Sequence, residues 1–267
     1  MSTGTRPTLP GTRPEGAQNE QEVSRHIRGM FSDIAGRYDL LNHLLSGNFD
    51  RLWRRRTARA FDHILRLPQA RVLDLCCGTG DLAMALERRA TQSGRPGAAI
   101  FASDFAHPML VRAMEKCGAR AGRESAGAHR IRFFEADALC LPLADASFDL
   151  IAVAFGFRNL ANYDAGLREM FRLLRAGGSV AILEFSEPPG AIFGALYRFY
   201  FRSILPILGG AISGRRAAYS YLPASVSKFP LPDAFGEMMR AAGFAEPRCI
   251  LWTGGIVALH TASKPRV

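Results

Sequence analysis

The run Arg71–Asp81, RVLDLCCGTGD, limits what this chain can fold into more than any other stretch. Val72-Leu73-Asp74-Leu75 is short and apolar, as a parallel strand covered on both faces requires. It breaks at Gly78-Thr79-Gly80, and an Ala/Leu-rich helical pattern begins at once over Asp81–Arg89. Strand, glycine turn and helix open a nucleotide-binding α/β sheet. Gly78 and Gly80 let the backbone turn tightly and approach a ligand that any Cβ would hold off. With Ala83 the run also spells G-x-G-x-x-A, a dinucleotide fingerprint that is weak alone, since many such turns bind nothing. Asp104 sharpens it. It follows a second strand-like run, Ala99–Ser103, where a carboxylate can accept hydrogen bonds from a ribose diol. The alternative for Asp104 is a helix N-cap ahead of Pro108 and Met109. Together the two sites favour an adenosine-containing ligand.

The alternation continues. Pro108–Lys116 is helical, Arg123–His129 is a polar loop, and Ile131–Phe134 is a third strand closed by Asp137 and Ala138. Ser147–Ala154 is a fourth strand ending in Phe155-Gly156-Phe157-Arg158-Asn159; a helix, Tyr163–Leu174, and the turn Arg175–Gly178 lead to a fifth, Ser179–Phe185. Strands and helices at this pitch give a mainly parallel sheet, whose ligands sit beyond the carboxyl ends of the strands. Asp74, Gly78, Thr79, Gly80, Asp104, Asp137 and Phe155–Asn159 all fall there. The chain closes with a helix, Asp233–Ala242, and two strands, Arg248–Trp252 and Ile256–Thr261, that pair antiparallel around Gly254-Gly255.

Ahead of the sheet, Val23, Ile27, Met30, Phe31 and Ile34 recur at helical spacing, and a second helix spans Asp50–Leu67. That helix carries Arg51, Arg54, Arg55, Arg56 and Arg59, read either as a solvated face or as contact with anionic lipid. Residues 20–67 thus form a helical cap, 68–188 the nucleotide-binding core, 189–232 an apolar lid and 233–267 the closing helix and hairpin of a single domain. Within the lid, Ala191–Ile212 is very apolar, yet Arg198, Arg202 and Pro206 interrupt it, so it is no membrane span. It reads as a core helix or as a lid for a lipid-like substrate. The tail 1–19, rich in Thr, Pro, Gly and Arg, is expected to be disordered. It shows neither the apolar segment of a secretory signal nor the Arg-rich helix of a transit peptide.

The net charge of +10 is almost all arginine, since Lys116, Lys228 and Lys264 are the only lysines. It suits anionic surfaces without selecting one. Five cysteines form no C-x-x-C pair and six histidines show no ligand spacing. Reduced thiols in a cytosolic compartment and no metal are therefore expected, with Cys76 and Cys77 acting as small apolar residues.

The tracts FSDIAGRYDLLNHLLSGNFDRLWRR, VLDLCCGTGDLA, SFDLIAVAFGFRNL, REMFRLLRAGGSVAILEFSEP and GGIVALH resemble the ubiquinone/menaquinone biosynthesis C-methyltransferases over about Phe31 to His260. The resemblance implies a Rossmann-like class I methyltransferase with a seven-stranded, mainly parallel sheet and a final antiparallel hairpin. It implies methyl transfer from S-adenosylmethionine, leaving S-adenosylhomocysteine, to a ring carbon of a polyprenylated quinol. The expected substrate is demethylmenaquinol, with the benzoquinol of ubiquinone synthesis as alternative. The donor contacts it implies are Thr79 in the glycine turn, Asp104 on the ribose and Asp137-Ala138 near the adenine. Ala154 stands where a serine is common, so that hydroxyl contact is absent, and Ala217-Ala218 replace an acidic–Ser pair.

The sulfonium methyl is already electrophilic, so the protein must chiefly align carbon, methyl and sulfur. The ring carbon gains electron density if the adjacent phenol loses its proton, which calls for a base and for stabilisation of the phenolate. Arg158 and Asn159 are the candidates. Arginine stays protonated, so Arg158 is read as phenolate stabiliser and water orienter, and the base as that water or a carboxylate such as Asp39. Tyr38 and His43 are candidate cap contacts, or ordinary packing and capping residues. Expected partners are the quinol and, transiently, an anionic membrane surface on the cytosolic side, without nucleic acid and with a homodimer left open. The rivals are a nicotinamide-dependent oxidoreductase, which NAD or NADP would stabilise, and a basic module binding nucleic acid or membrane in a salt-sensitive way.

Overall fold

The computed structural model describes residues 11–12, 14, 16–36, 38–39, 46–92, 97–121, 131–190, 194, 221 and 224–266. The apolar lid stretch 191–212 (Gly194 apart), the loop 123–129, His43 and Ala217-Ala218 lie outside these residues.

Seven strands form one sheet in the order β3-β2-β1-β4-β5-β7-β6. They are β1 Arg71–Leu75, β2 Ala99–Asp104, β3 Ile131–Glu135, β4 Phe148–Ala154, β5 Leu174–Phe185, β6 Ala245–Trp252 and β7 Val257–Ser263. β1 pairs in parallel with β2 and β4, β2 with β3, and β4 with β5. β7 runs antiparallel to both β5 and β6, as the closing hairpin requires. The helices are α1 Glu20–Ile34, α2 Phe49–Ala60, α3 Asp62–Leu65, α4 Asp81–Thr91, α5 His107–Ala121, α6 Tyr163–Leu173 and α7 Pro232–Ala241.

Alternation along the strands sends side chains to two cores. Val72, Ile100, Leu150 and Ala152 pack beneath Trp53, Leu82, Ala83 and Leu86 of α2 and α4. Leu73, Ile151, Val153 and Ile182 pack on the other face against Leu167, Met170, Phe235 and Met239 of α6 and α7. The sheet is thus covered on both sides, which is why its central strands read as near-continuous apolar runs.

Several boundaries differ from the sequence reading. The helix expected over Asp50–Leu67 breaks at Phe61 (φ −110°, ψ 25°). Asp62 then starts a new turn in which its carboxylate takes Arg89 of α4 at 2.5 Å and Arg66 at 2.7 Å. The fifth strand starts at Leu174, because the expected turn Arg175–Gly178 is a bulge inside it: Phe148 pairs with Leu174 but Leu150 with Ser179. In the tail, Thr12 is buried, its N–H donating to the Leu160 carbonyl at 2.9 Å and its hydroxyl lying 3.0 Å from Tyr221 Oη.

Candidate functional site

A cleft opens at the carboxyl ends of β1, β2 and β4, beneath α1 and α2.

The floor is the turn after β1. Cys76 (φ 55°), Gly78 (φ 54°) and Gly80 (φ 82°) occupy the left-handed region, as does Phe155 (φ 61°) after β4. Non-glycine residues held there cluster at ligand sites, where the surrounding fold supports the strain. A Cβ on Gly80 would lie 3.1 Å from Ala113 Cβ of α5, so the turn has no room for one. Gly156 lets β4 approach the same turn; a Cβ there would stand 2.5 Å from Cys76 Cβ. Burial, with help from Asp104 and Asp74, pushes both the Cys76 and Cys77 thiols well up, in keeping with inert packing residues.

Asp74 is fully buried and anchors the start of α4: its Oδ2 accepts from Ala83 N at 2.7 Å. Burial raises its pKa well above the usual carboxylate range, and among the described residues its Oδ1 has no hydrogen-bond partner. Asp104 lines the cleft at the end of β2. Its Oδ1 accepts from Ala106 N at 2.9 Å, ahead of α5, and its Oδ2 from Gly78 N at 2.8 Å. Both oxygens keep lone pairs for a diol at the cleft wall. Burial raises its pKa against those backbone bonds. Asp137 and Ala138 line the cleft beyond β3, the Asp137 Oδ1 accepting from Leu139 N at 2.9 Å. Ala154 lines it at the end of β4.

The structure divides the remaining candidates. Tyr38 and Asn159 line the cleft. The Asn159 Oδ1 accepts from Tyr221 Oη at 3.1 Å. Arg158 does not line the cleft. It is 5% exposed and runs behind the wall to Glu184, itself 0% exposed, whose Oε2 accepts from Arg158 Nη1 at 3.0 Å and whose Oε1 accepts from Arg158 N at 3.0 Å. A second Arg158 bond reaches the Phe155 carbonyl. Burial opposes the guanidinium's charge, but Glu184 and the nearby Tyr38 and Tyr221 outweigh it, so its pKa rises. Asp39 also stands outside the cleft. It accepts from Thr79 Oγ1 and, at 2.7 Å, from Lys116 Nζ, which donates further to Thr79 Oγ1 at 3.1 Å and Asp81 at 2.6 Å. The Thr79 hydroxyl is therefore turned toward the cap, leaving its backbone to face a ligand.

Sequence reasoning missed Arg54 and Glu184. Arg54 had been grouped with the exposed arginines, yet it is 7% exposed, pairs with Asp50 one helical turn back, lies 5.3 Å from the Phe155 ring centroid and lines the cleft. The Asp50/Arg54 i,i+4 spacing was the available signal.

A parallel sheet turned at glycines after β1, an acidic end to β2 and an antiparallel seventh strand together define the Rossmann-like methyltransferase class. Solved structures agree on the fold. A methyltransferase of Thermotoga maritima, described as S-adenosylmethionine-dependent and a possible histamine N-methyltransferase, superposes with a TM-score of 0.60 at 16% identity, over 90% of this chain and 100% of that one. An S-adenosylmethionine-dependent methyltransferase of Aquifex aeolicus gives 0.54 at 17% identity, over 78% of this chain and 88% of that one.

Residues 17–264 match the sequence pattern of the ubiE/COQ5 methyltransferase family, and the chain belongs to that family. The demethylmenaquinone methyltransferase of Thermus thermophilus is 50% identical over 236 residues, 88% of this chain and 100% of that protein. The ubiquinone/menaquinone biosynthesis C-methyltransferase UbiE of Geobacter sulfurreducens is 40% identical over 243 residues, 91% of this chain and 90% of that protein. The chain is thus a methyltransferase, with S-adenosylmethionine as its methyl donor, and the oxidoreductase alternative falls.

Proposed function

We propose that the protein methylates a ring carbon of a polyprenylated quinol, demethylmenaquinol before the benzoquinol of ubiquinone synthesis. The observation behind this substrate is the 50% identity to the whole of a demethylmenaquinone methyltransferase. The residues present suit the donor: a positive-φ glycine turn and a buried carboxylate with spare lone pairs at the end of β2, both lining one cleft.

In this reading Asp104 takes the ribose diol, Asp137 and Ala138 flank the adenine, and the backbone of Gly78–Gly80, with Asp74 beneath it and Ala154 opposite, supports the thioether region. When bound, the sulfonium supplies an electrophilic methyl, and the protein's work is to hold the quinol carbon in line with it. Asn159 and Tyr38 meet the quinol oxygen and donate hydrogen bonds to it as negative charge develops. Arg158, its charge compensated by Glu184, donates to the Phe155 carbonyl and so fixes the wall that carries Asn159. Asp39 is discounted as the base, since it is tied to Lys116 and Thr79 outside the cleft. The phenol proton passes instead to water at the cleft mouth. The ring carbon bonds to the methyl as the carbon–sulfur bond breaks, and the ring proton then leaves to restore aromaticity.

The cytosolic face of the membrane is where this enzyme meets its substrate. The supporting surface is on α2, where Arg51, Arg55, Arg56 and Arg59 are exposed beside the exposed Phe49 and Leu52. Among the described residues no helix is long and apolar enough to cross a bilayer.

The test is transfer of labelled methyl from S-adenosylmethionine to reduced short-chain demethylmenaquinol and, separately, to a demethyl benzoquinol. Product from the naphthoquinol alone establishes the menaquinone role, and product from both makes the enzyme common to the two pathways. Product from neither, with the donor still bound, overturns the substrate.

A further inference from the structure

The charges lining the cleft are lopsided. Asp74, Asp81, Asp104 and Asp137 face it, and among the described residues that line it Arg54 is the one cation. S-adenosylmethionine carries a sulfonium and an α-ammonium, which such carboxylates suit, and one α-carboxylate, which they repel.

The sheet order fixes which end of the donor meets which wall. Along β3-β2-β1-β4 the cleft runs from Asp137 after β3, past Asp104 at β2 and the glycine turn after β1, to Phe155 after β4. With adenine and ribose at the β3–β2 end, the amino-acid end falls by β1 and β4. Arg54 is there, its guanidinium over the Phe155 ring. Asp50 takes one of its terminal nitrogens, Asp81 lies near enough to raise its pKa, and no other hydrogen bond from the guanidinium is found among the described residues.

We propose that Arg54 binds the α-carboxylate of the methyl donor, an assignment that rests on S-adenosylmethionine occupying this cleft. Asp50 and the Phe155 face hold the guanidinium plane, so the fork is in place before the ligand arrives. A charge-assisted pair of this geometry is oriented as well as strong. Asp81, at the start of α4 and close enough to raise the Arg54 pKa, is the carboxylate placed to meet the ammonium beside that carboxylate.

The experiment is calorimetric binding of S-adenosylhomocysteine, which keeps the carboxylate, and of its decarboxylated analogue, 5′-deoxy-5′-(3-aminopropylthio)adenosine. In the wild-type protein the first should bind about 10- to 100-fold more tightly. The double variant Asp50→Asn/Arg54→Gln, which leaves no buried charge unpaired, should lose that factor for S-adenosylhomocysteine and bind the decarboxylated analogue as before. Arg54→Lys keeps Asp50 paired, guards against a folding failure of the double variant, and should lose a smaller part of the same preference. Unchanged preference in both variants, or equal weakening of both ligands, overturns the assignment while leaving the donor site standing. Failure of the wild-type protein to bind either ligand removes the donor site itself.

Discussion

Replacing Glu184 by Gln tests how the wall behind Asn159 is held. The Glu184 carboxylate accepts three hydrogen bonds, from Arg158 N at 3.0 Å, Arg158 Nη1 at 3.0 Å and Phe185 N at 3.2 Å. A glutamine has one acceptor oxygen, so either orientation of its amide sets an N–H against a donor and leaves the Arg158 charge uncompensated. Location decides the magnitude. An exposed pair is worth about 0–1 kcal/mol, but Glu184 is 0% and Arg158 5% exposed. Removing one partner of a buried pair costs about 3–5 kcal/mol. At roughly 2–4 °C per kcal/mol for a domain approaching this size, the melting temperature should fall by about 10 °C. Thermal unfolding followed by far-UV circular dichroism reads this directly. A fall of less than about 3 °C would refute the reasoning, since it would equate a sealed pair with a surface one. The double variant Arg158→Met/Glu184→Leu should regain most of the stability, because apolar side chains of similar volume often replace a buried ion pair without loss. Methyl transfer should nonetheless be lost in it, since the Arg158 bond that fixes the Phe155–Asn159 wall is gone.

Three further outcomes follow from the same structure. His260 is buried against Phe229 and Phe235, and burial pushes its pKa down from 6.5 to about 4. The unfolded chain therefore binds the extra proton between pH 6.5 and 4, so up to about 3 kcal/mol of stability, fully present above pH 6.5, is lost as the pH falls to 4; urea titrations should show His260→Phe flattening that slope, and an unaltered slope would count against it. Asp39→Asn should lower kcat less than tenfold, whereas loss of a general base costs about 10²- to 10⁴-fold, and steady-state kinetics decides between them. Gly80→Ala, at φ 82° and 3.1 Å from Ala113, should destabilise by about 1–2 kcal/mol from the left-handed backbone alone and weaken S-adenosylhomocysteine binding; a calorimetric titration matching wild type would show that the turn tolerates a Cβ.

Much of the fold was legible because a parallel sheet covered on both faces demands long apolar runs, and these strands have them. Each expected strand was found, and the closing hairpin pairs as its turn residues suggested. The misses have tertiary causes. The helix from Asp50 broke at Phe61, where Asp62 finds Arg89 on α4, beyond β1 in the chain, and no local pattern announces that partner. The bulge Arg175–Gly178 looked like a turn because glycine pairs mark turns in isolation. In the sheet they are held instead between Gly177 N and Lys264 O at 2.9 Å and between Lys264 N and Gly178 O at 2.8 Å, bonds that form only once β7 is in place.

The site was legible where it is backbone and less so where it is charge. Glycines and strand ends are local features, so the cleft floor and Asp104 could be read directly. Sorting five arginines on one helix requires knowing which face is covered. On α2 the buried positions are Asp50, Trp53, Arg54, Thr57 and Ala58, a helical stripe, while Arg51, Arg55, Arg56 and Arg59 fall on the opposite side. Grouping Arg54 with the other arginines goes by residue type rather than by phase. A charged residue placed in phase with Trp53 and Ala58, with a carboxylate one turn before it, is a buried ion pair in waiting, and buried charge is retained where it orients something. The same logic explains Glu184, the acid of an otherwise apolar strand end, Ala181-Ile182-Leu183. Both were visible as breaks in periodicity, and in this protein each such break lies at the cleft or directly behind its wall.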